Sequence, residues 1–413
     1  MFILLLGVVC ALAHFYLWLR LVRDTTRRGG PGRRWGTAGL PAAFVVMVSA
    51  IVITRDASPG IAALLAWPGY LWLGLMFYLT LWLGLLEIPR VLVSRRAARQ
   101  AAVEEPVSEP VRELQPVLDG GGGQPPVDHP EPEPRTDPVT NRRVFIARSL
   151  ALASGLGTAA TVGYGAIEAL GAPEVTTVPV TLGRLDPSLS GFRIAVVSDI
   201  HLGPLLGRSH TERVVRLINE QRPDLVAIVG DLVDGTVQSL GKAAAPLRDL
   251  DSRYGNYFVT GNHEYYSGVQ PWLSELERLD VRPLRNEWVA IQQGDAVLDL
   301  AGVNDVTGRG FDDGPDFEKA LTGRDTSRPV VLMAHQPVQV EESVRHGVDL
   351  QLSGHTHGGQ MFPFHLAVPL QQPMVAGLKK FDDTWVYTTR GAGFWGPPVR
   401  VGSSPEISIM ELR

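Results

Sequence analysis

The chain has 413 residues, 38 basic and 43 acidic side chains for a net charge of -5, and 45% apolar residues. This suits a folded protein of two or three domains and excludes collagen, a disulfide scaffold and wholesale disorder. From Glu174 onward there are 22 basic and 30 acidic residues, which argues against a nucleic-acid partner, and a single cysteine, Cys10, allows neither an internal disulfide nor a cysteine-based metal cluster.

In chain order, Phe2 to Leu19 is an uncharged apolar run of about the length that crosses a bilayer. Trp35 to Thr54 is a second, interrupted at its start by Gly and Pro, and Ile61 to Leu86 is a third, carrying Trp67, Tyr70, Trp72, Tyr78 and Trp82. A signal peptide fits the first run poorly, because no basic region precedes it and two further runs come after it. Residues 1–93 therefore read as a three-span transmembrane region. Arg20, Arg23, Arg27, Arg28, Arg33 and Arg34 come after the first run, against Asp24; Arg90, Arg95, Arg96 and Arg99 come after the third. Only Arg55 and Asp56 lie between the second and third. Basic loops stay in the cytoplasm, so the N-terminus is expected outside and the chain re-enters near Arg90.

Ser94 to Thr140 holds nine prolines, the run Gly120 to Gly123, nine acids and no aromatic. Such a segment buries too little apolar surface to offset its ordering entropy, so 94–140 is expected to be a disordered cytoplasmic linker. Arg142-Arg143-Val144-Phe145 then precedes a moderately apolar stretch rich in Ala and Gly, Ser149 to Leu170. Paired arginines before a weakly apolar stretch resemble a twin-arginine export signal. Asn141 departs from the usual Ser or Thr, and the signal is internal. An ordinary fourth span over 141–173 fits equally, and both readings place residues 174–413 outside the cytoplasm. A retained anchor is preferred to a cleaved one.

Residues 174–413 read as an α/β catalytic domain. Five apolar runs each end in polar side chains: Phe192 to Ser198 in Asp199-Ile200-His201, Leu225 to Val229 in Gly230-Asp231-Leu232-Val233-Asp234, Tyr257 to Thr260 in Gly261-Asn262-His263-Glu264, Val330 to Ala334 in His335, and Asp349 to Leu352 in Ser353-Gly354-His355-Thr356-His357. Ligands of α/β folds gather beyond the carboxyl ends of strands, so five ends are expected to converge on one site. Two nearby divalent cations repel, and a carboxylate such as Asp231 can bridge them. Neutral imidazoles and one amide carbonyl complete the shells without excess negative charge. Oxygen and nitrogen ligands without sulfur suit Mn, Fe or Zn. A two-metal centre can generate hydroxide at neutral pH and clamp a phosphoryl oxygen during in-line attack.

The ordered set of motifs resembles the calcineurin-like metallophosphoesterase superfamily over about 240 residues, Glu174 to Arg413. The resemblance implies a four-layer sandwich, two mixed sheets packed face to face with helices outside. It implies that Asp199, His201, Asp231 and His357 hold one metal and that Asp231, Asn262, His335 and His355 hold the other. It also implies that His263 contacts the scissile phosphate and protonates the leaving oxygen, oriented by Asp234. Gly354-His355-Thr356-His357-Gly358-Gly359-Gln360 and the ending Thr389 to Arg400 resemble the membrane-associated bacterial phosphodiesterase branch. That branch implies a protein of the bacterial inner membrane, its partners the lipid bilayer and a phosphoester substrate, lipid-linked in some members; the three N-terminal runs, which make this chain multi-pass, lie outside what the resemblance explains. Two alternatives stay open: a UDP-2,3-diacylglucosamine-type pyrophosphatase of lipid A synthesis, whose substrate lies on the cytoplasmic face, and a non-catalytic membrane sensor with a relic site. His210 and His346 are expected at the surface. Phe362, Phe364, Phe394 and Trp395 are either an apolar rim or core, His365 is a candidate substrate contact, and Arg390 and Arg400 pair either with phosphate or with local acids.

Overall fold

A computed structural model describes residues 2–53, 59–103 and 138–413. Residues 104–137, most of the expected linker, lie outside the described residues. The chain divides into two compact units, Met1–Pro41 with Met76–Thr158 and Ala42–Leu75 with Ala159–Arg413.

Four helices lead the chain: α1 (Phe2–Leu17), α2 (Pro31–Ile53), α3 (Pro59–Val103) and α4 (Pro138–Leu170). Segments Pro31–Ile53, Gly60–Leu92 and Arg143–Leu170 are long and apolar enough to cross a membrane. The first apolar run is α-helical for 16 residues and continues as a π-helical turn, Trp18–Arg23. Helix α3 continues past residue 93 to Val103, because Arg, Ala and Gln there favour helix and the next proline is Pro106. Helix α4 starts at Pro138 rather than at 141, with proline in its first turn, where a missing N–H costs nothing. In the first unit, Arg20 reaches Asp24 at 3.0 Å and Glu87 at 2.7 Å, and Arg90 reaches Glu87 at 3.1 Å and Asp24 at 3.4 Å. These four charges neutralise one another and tie the end of the π-helical turn to α3.

The second unit carries twelve strands: β1 (Glu174–Val180), β2 (Arg193–Val197), β3 (Leu225–Val229), β4 (Asn256–Val259), β5 (Val281–Pro283), β6 (Glu287–Gln293), β7 (Ala296–Gly302), β8 (Val330–Met333), β9 (Leu350–Ser353), β10 (Gly377–Phe381), β11 (Thr384–Thr388) and β12 (Glu406–Leu412). They form two six-stranded sheets, ordered β1-β12-β2-β3-β4-β5 and β10-β11-β9-β8-β7-β6. Strands β2 to β5 run parallel, and so do β7, β8, β9 and β11. β12 is antiparallel to β2, β6 to β7 and β10 to β11, so both sheets are mixed.

Strand alternation divides the apolar residues between two cores. Ile194, Val196, Val229 and Val259 of the first sheet meet Leu298, Leu300, Val331, Met333, Leu350 and Leu352 of the second. On its other face the first sheet sets Ala195, Val197, Val226, Ile228 and Phe258 against α5 (Arg208–Glu220), α6 (Val237–Ala244) and, past α7 (Asn262–Ser267), α8 (Val269–Arg278). Outside the second sheet, Ala301, Val330 and Leu332 pack on α9 (Phe317–Leu321); α10 (Val340–Arg345) adds Val340 against Val386 of β11. The result is the expected four-layer sandwich. Strands covered on both faces read as unbroken apolar runs, which makes them visible in the sequence. Each large aliphatic side chain withdrawn from water contributes roughly 1.5–3 kcal/mol, enough in sum to hold polar ends at one edge.

Candidate metal centre

Five strand ends converge: β2, β3 and β4 from the first sheet deliver Asp199 with His201, Asp231 and Asn262, and β8 and β9 from the second deliver His335 and the pair His355 and His357. Asp199, His201, Asp231, His335 and His357 are buried. Asp199, His201, Asp231, His355 and His357 have φ between 49° and 70°, a left-handed backbone that costs a non-glycine residue about 1–3 kcal/mol. Close packing of the loops offsets that strain. Gly261 must be glycine, because a Cβ there would run into the Asp231 carboxylate and backbone.

Glu264 fixes the loops after β3 and β4 to each other. Its buried carboxylate accepts the N–H groups of Gly261 at 2.7 Å, Leu232 at 2.8 Å and Asp231 at 3.1 Å. Burial and the neighbouring Asp231 push its pKa up to about 7 against those bonds. In the sequence Glu264 sits inside a motif without a task. The signal for its role is an acid at the third position of a helix that begins at Asn262, where backbone N–H groups need an acceptor.

The side chains group in three overlapping sets, each with ligand atoms within 4.8 Å of one another: Asp199, His201 and His357; Asp231, His335 and His355; and His201, Asp231 and His263. His357 Nε2 lies 3.3 Å from Asp199 Oδ1 and 3.1 Å from His201 Nε2. His335 Nε2 lies 3.2 Å from Asp231 Oδ2. Asp234 Oδ1 accepts from His263 Nδ1 at 2.6 Å and from His201 Nδ1 at 3.0 Å. His335 Nδ1 faces the Val229 carbonyl at 2.8 Å.

These contacts fix tautomers, and the tautomers define what fits. A carbonyl can only accept, so His335 Nδ1 carries a proton, and Nε2 is the ring nitrogen that confronts a carboxylate oxygen. Asp234 likewise takes the Nδ1–H of His201, leaving Nε2 to face His357 Nε2. Among the described residues the buried Asn262 Oδ1 and His335 Nε2 have no hydrogen-bond donor. Carboxylate oxygens, imidazole nitrogens and an amide oxygen this close, with two of the buried atoms unpartnered, are the donor set divalent cations require, so the residues present fit two such ions. Burial works against charge on His335, but Asp231 and Asp199 overcome it and hold its pKa well above the usual imidazole range. The same carboxylates would draw in a cation. Burial, then His335, depresses His355 to about 3. Burial, His201 and Arg400 keep His357 far below its ordinary value. Both are thus neutral imidazoles, the form that binds metal. Burial disfavours protonated His263, yet Asp231 and Asp234 outweigh it and raise its pKa to about 9.

Other residues fall differently from expectation. His210 is buried on α5, not exposed; burial, then Arg213, lowers its pKa to about 4. His346 is partly exposed, 3.7 Å from Glu318. Arg390 pairs with local acids, Glu406 at 2.7 Å and Glu174 at 3.3 Å. Arg400 is fully buried and donates to backbone carbonyls, not to an acid. Phe394 is core, whereas Phe362, Phe364 and Trp395 are exposed. His365 lies against Phe362, ring centroids 5.3 Å apart. Trp395 and the half-exposed Tyr266 stand 5.9 and 5.8 Å from the His263 ring. Tyr266 carries no sequence signal beyond its place after the Asn262 motif.

The profile of calcineurin-like phosphoesterases matches residues 192–359. A Bos taurus protein described as a transmembrane protein with metallophosphoesterase domain is 42% identical over 286 residues, 64% of this chain and 64% of that one. The chain thus spans just under two thirds of that relative. An uncharacterized metallophosphoesterase of Helicobacter pylori is 40% identical over 259 residues, 61% of this chain and 68% of that one. One of Aquifex aeolicus is 34% identical over 231 residues, 55% of this chain and 87% of that one.

Proposed function

The chain belongs to the calcineurin-like phosphoesterase family, and from that premise we propose that it is a membrane-anchored hydrolase of a phosphodiester or phosphoanhydride that works with two divalent ions. One observation carries the reading: two ligand sets, each drawn from both sheets, lie side by side, with Asp231 reaching both. Asp199, His201, Asp231 and His357 would hold one ion; Asp231, Asn262, His335 and His355 the other. The sulfur-free donors favour Mn, Fe or Zn. Bound ions would supply positive charge to the phosphoryl oxygens and acidify a water for attack. The protein's own proton comes from His263. Asp234 holds its Nδ1–H, which turns Nε2 toward the site, where it can protonate the leaving oxygen.

The substrate we favour is a phosphorylated lipid or cell-envelope component. Trp395 and Tyr266 flank His263 with exposed rings. Beyond Trp395, Pro397 lies beside Gly74 of the apolar helix α3. An apolar rim that continues onto such a helix suits a substrate presented by a bilayer. We place the protein in the bacterial inner membrane as a multi-pass chain, with residues 174–413 outside the cytoplasm, on the arginine distribution.

The test is metal content and hydrolysis by the full chain in detergent. Two ions per chain, with Mn-dependent cleavage of phospholipid or nucleotide-lipid substrates to phosphomonoester products, are expected. Asp231→Asn should disturb both ions, since removal of the shared carboxylate leaves two cations without common compensation. A single ion in the unmutated chain contradicts the two-ion reading, and inactivity of the fully loaded chain on every phosphoester contradicts the enzyme.

A further inference from the structure

His357, a candidate ligand, is held from behind by a buried arginine. Arg400 is completely withdrawn from solvent. Its Nη1 donates to the His357 carbonyl at 3.4 Å; its Nη2 packs 3.3 Å from His357 Nδ1, which cannot accept while Nε2 offers its lone pair to an ion, so the carbonyl carries the hold. Ser403 Oγ donates to the same carbonyl at 2.6 Å. The remaining guanidinium hydrogens go to the carbonyls of Arg390, Gly391, Gly393 and Ser403. None of these partners is a carboxylate, so the charge serves to organise backbone around the histidine.

The backbone of Arg400 is itself docked on a helix apolar enough to cross a membrane. Its N–H donates to the Gly165 carbonyl of α4 at 2.8 Å. Gly165 allows the approach: a Cβ there would sit 2.5 Å from Val399 Cγ1, 2.8 Å from Val401 Cγ2 and 3.0 Å from the Arg400 carbonyl oxygen. Gly163, nearby on α4, has nothing within 4 Å of the same position.

Resting on the two-ion reading, we infer that Arg400 is a positioning residue linking α4 to His357, so that occupancy of the ion held by Asp199, His201 and His357 depends on the docking of α4. The ion at Asp231, Asn262, His335 and His355 has no ligand that Arg400 bonds, although His355 shares the loop after β9 with His357, so it should depend less on that docking. Losing an interaction that orients a ligand typically weakens metal binding about 10- to 100-fold.

The experiment titrates Mn into the metal-free full chain in detergent and monitors stoichiometry and the electron paramagnetic resonance spectrum. Wild type takes two ions and gives the signal of a coupled pair. Gly165→Val is expected to bind one ion tightly and the second at least tenfold more weakly, with an uncoupled Mn signal. Gly163→Val should behave as wild type. Val399→Ala added to Gly165→Val relieves the closest clash and should restore the coupled pair. Arg400→Lys, which keeps charge but not the fork geometry, should resemble Gly165→Val. A coupled pair with unchanged affinity in both Gly165→Val and Arg400→Lys overturns the inference. If Gly165→Val fails to fold, Arg400→Lys decides; if both fail, the double variant decides by gaining or not gaining the second ion. A wild type that never takes two ions sinks the two-ion reading instead.

Discussion

His263 is the proton donor we propose, and its surroundings state how it should respond to pH. Burial pulls its pKa down, and Asp231 and Asp234 lift it to about 9. A raised value keeps the acid form present through neutrality and loses it as pH climbs past about 9. Asp234→Asn removes one of the two lifting charges, so the alkaline limb of the activity profile should move to lower pH. An unmoved limb, measured with the metal content held constant, would refute Asp234 as the residue that tunes His263. His263→Ala should lower turnover about 100- to 10,000-fold while leaving both ions in place. Metal loss in that variant, read by elemental analysis, would mean that His263 is a ligand and not the proton donor.

At the scale of elements, the strands and their polar ends are legible in the sequence and the neighbours that fix them are not. Leu225 to Val229 is apolar on both faces and stops at Gly230-Asp231, so the strand and its task show together. Glu264 and Arg400 act on backbone brought in from distant positions, the latter across 43 residues to the His357 carbonyl, and no local pattern marks such a partner. The burial of His210 on α5 is not legible either, because that burial depends on residues far away in sequence. The buried position has a measurable result. His210 falls from 6.5 to about 4 on burial, so the folded chain favours its neutral form. The associated stability is complete above pH 6.5 and is lost as pH falls through the folded value, about 3 kcal/mol in all. Thermal unfolding of the full chain should drop more between pH 7.5 and pH 4.5 for wild type than for His210→Gln. Equal drops would show that burial of this imidazole does not contribute to acid sensitivity.

For the whole molecule, the arginines and the apolar helices make one proposal about sidedness. Protease added to intact spheroplasts should digest residues 174–413. Replacing both Arg142 and Arg143 with Lys preserves the charge that orients an ordinary span but would abolish a twin-arginine signal. If that route is used, the double variant should be spared; if it is digested like wild type, α4 is an ordinary span. Protection of the wild-type domain would reverse the proposed sidedness and favour a substrate on the cytoplasmic leaflet. Across the site as a whole, five acids and imidazoles occupy left-handed backbone that glycine would adopt without strain. Folding alone therefore favours glycine or asparagine at each of these positions, and on the proposed two-ion reading cation binding favours the side chains present. In a lineage released from that second demand, drift would erase 199, 201, 231, 355 and 357 early, before the apolar strands behind them. Asp, His, Asp, His and His stand there against the preference of their own backbone, a placement for which the proposed two-ion site gives the reason.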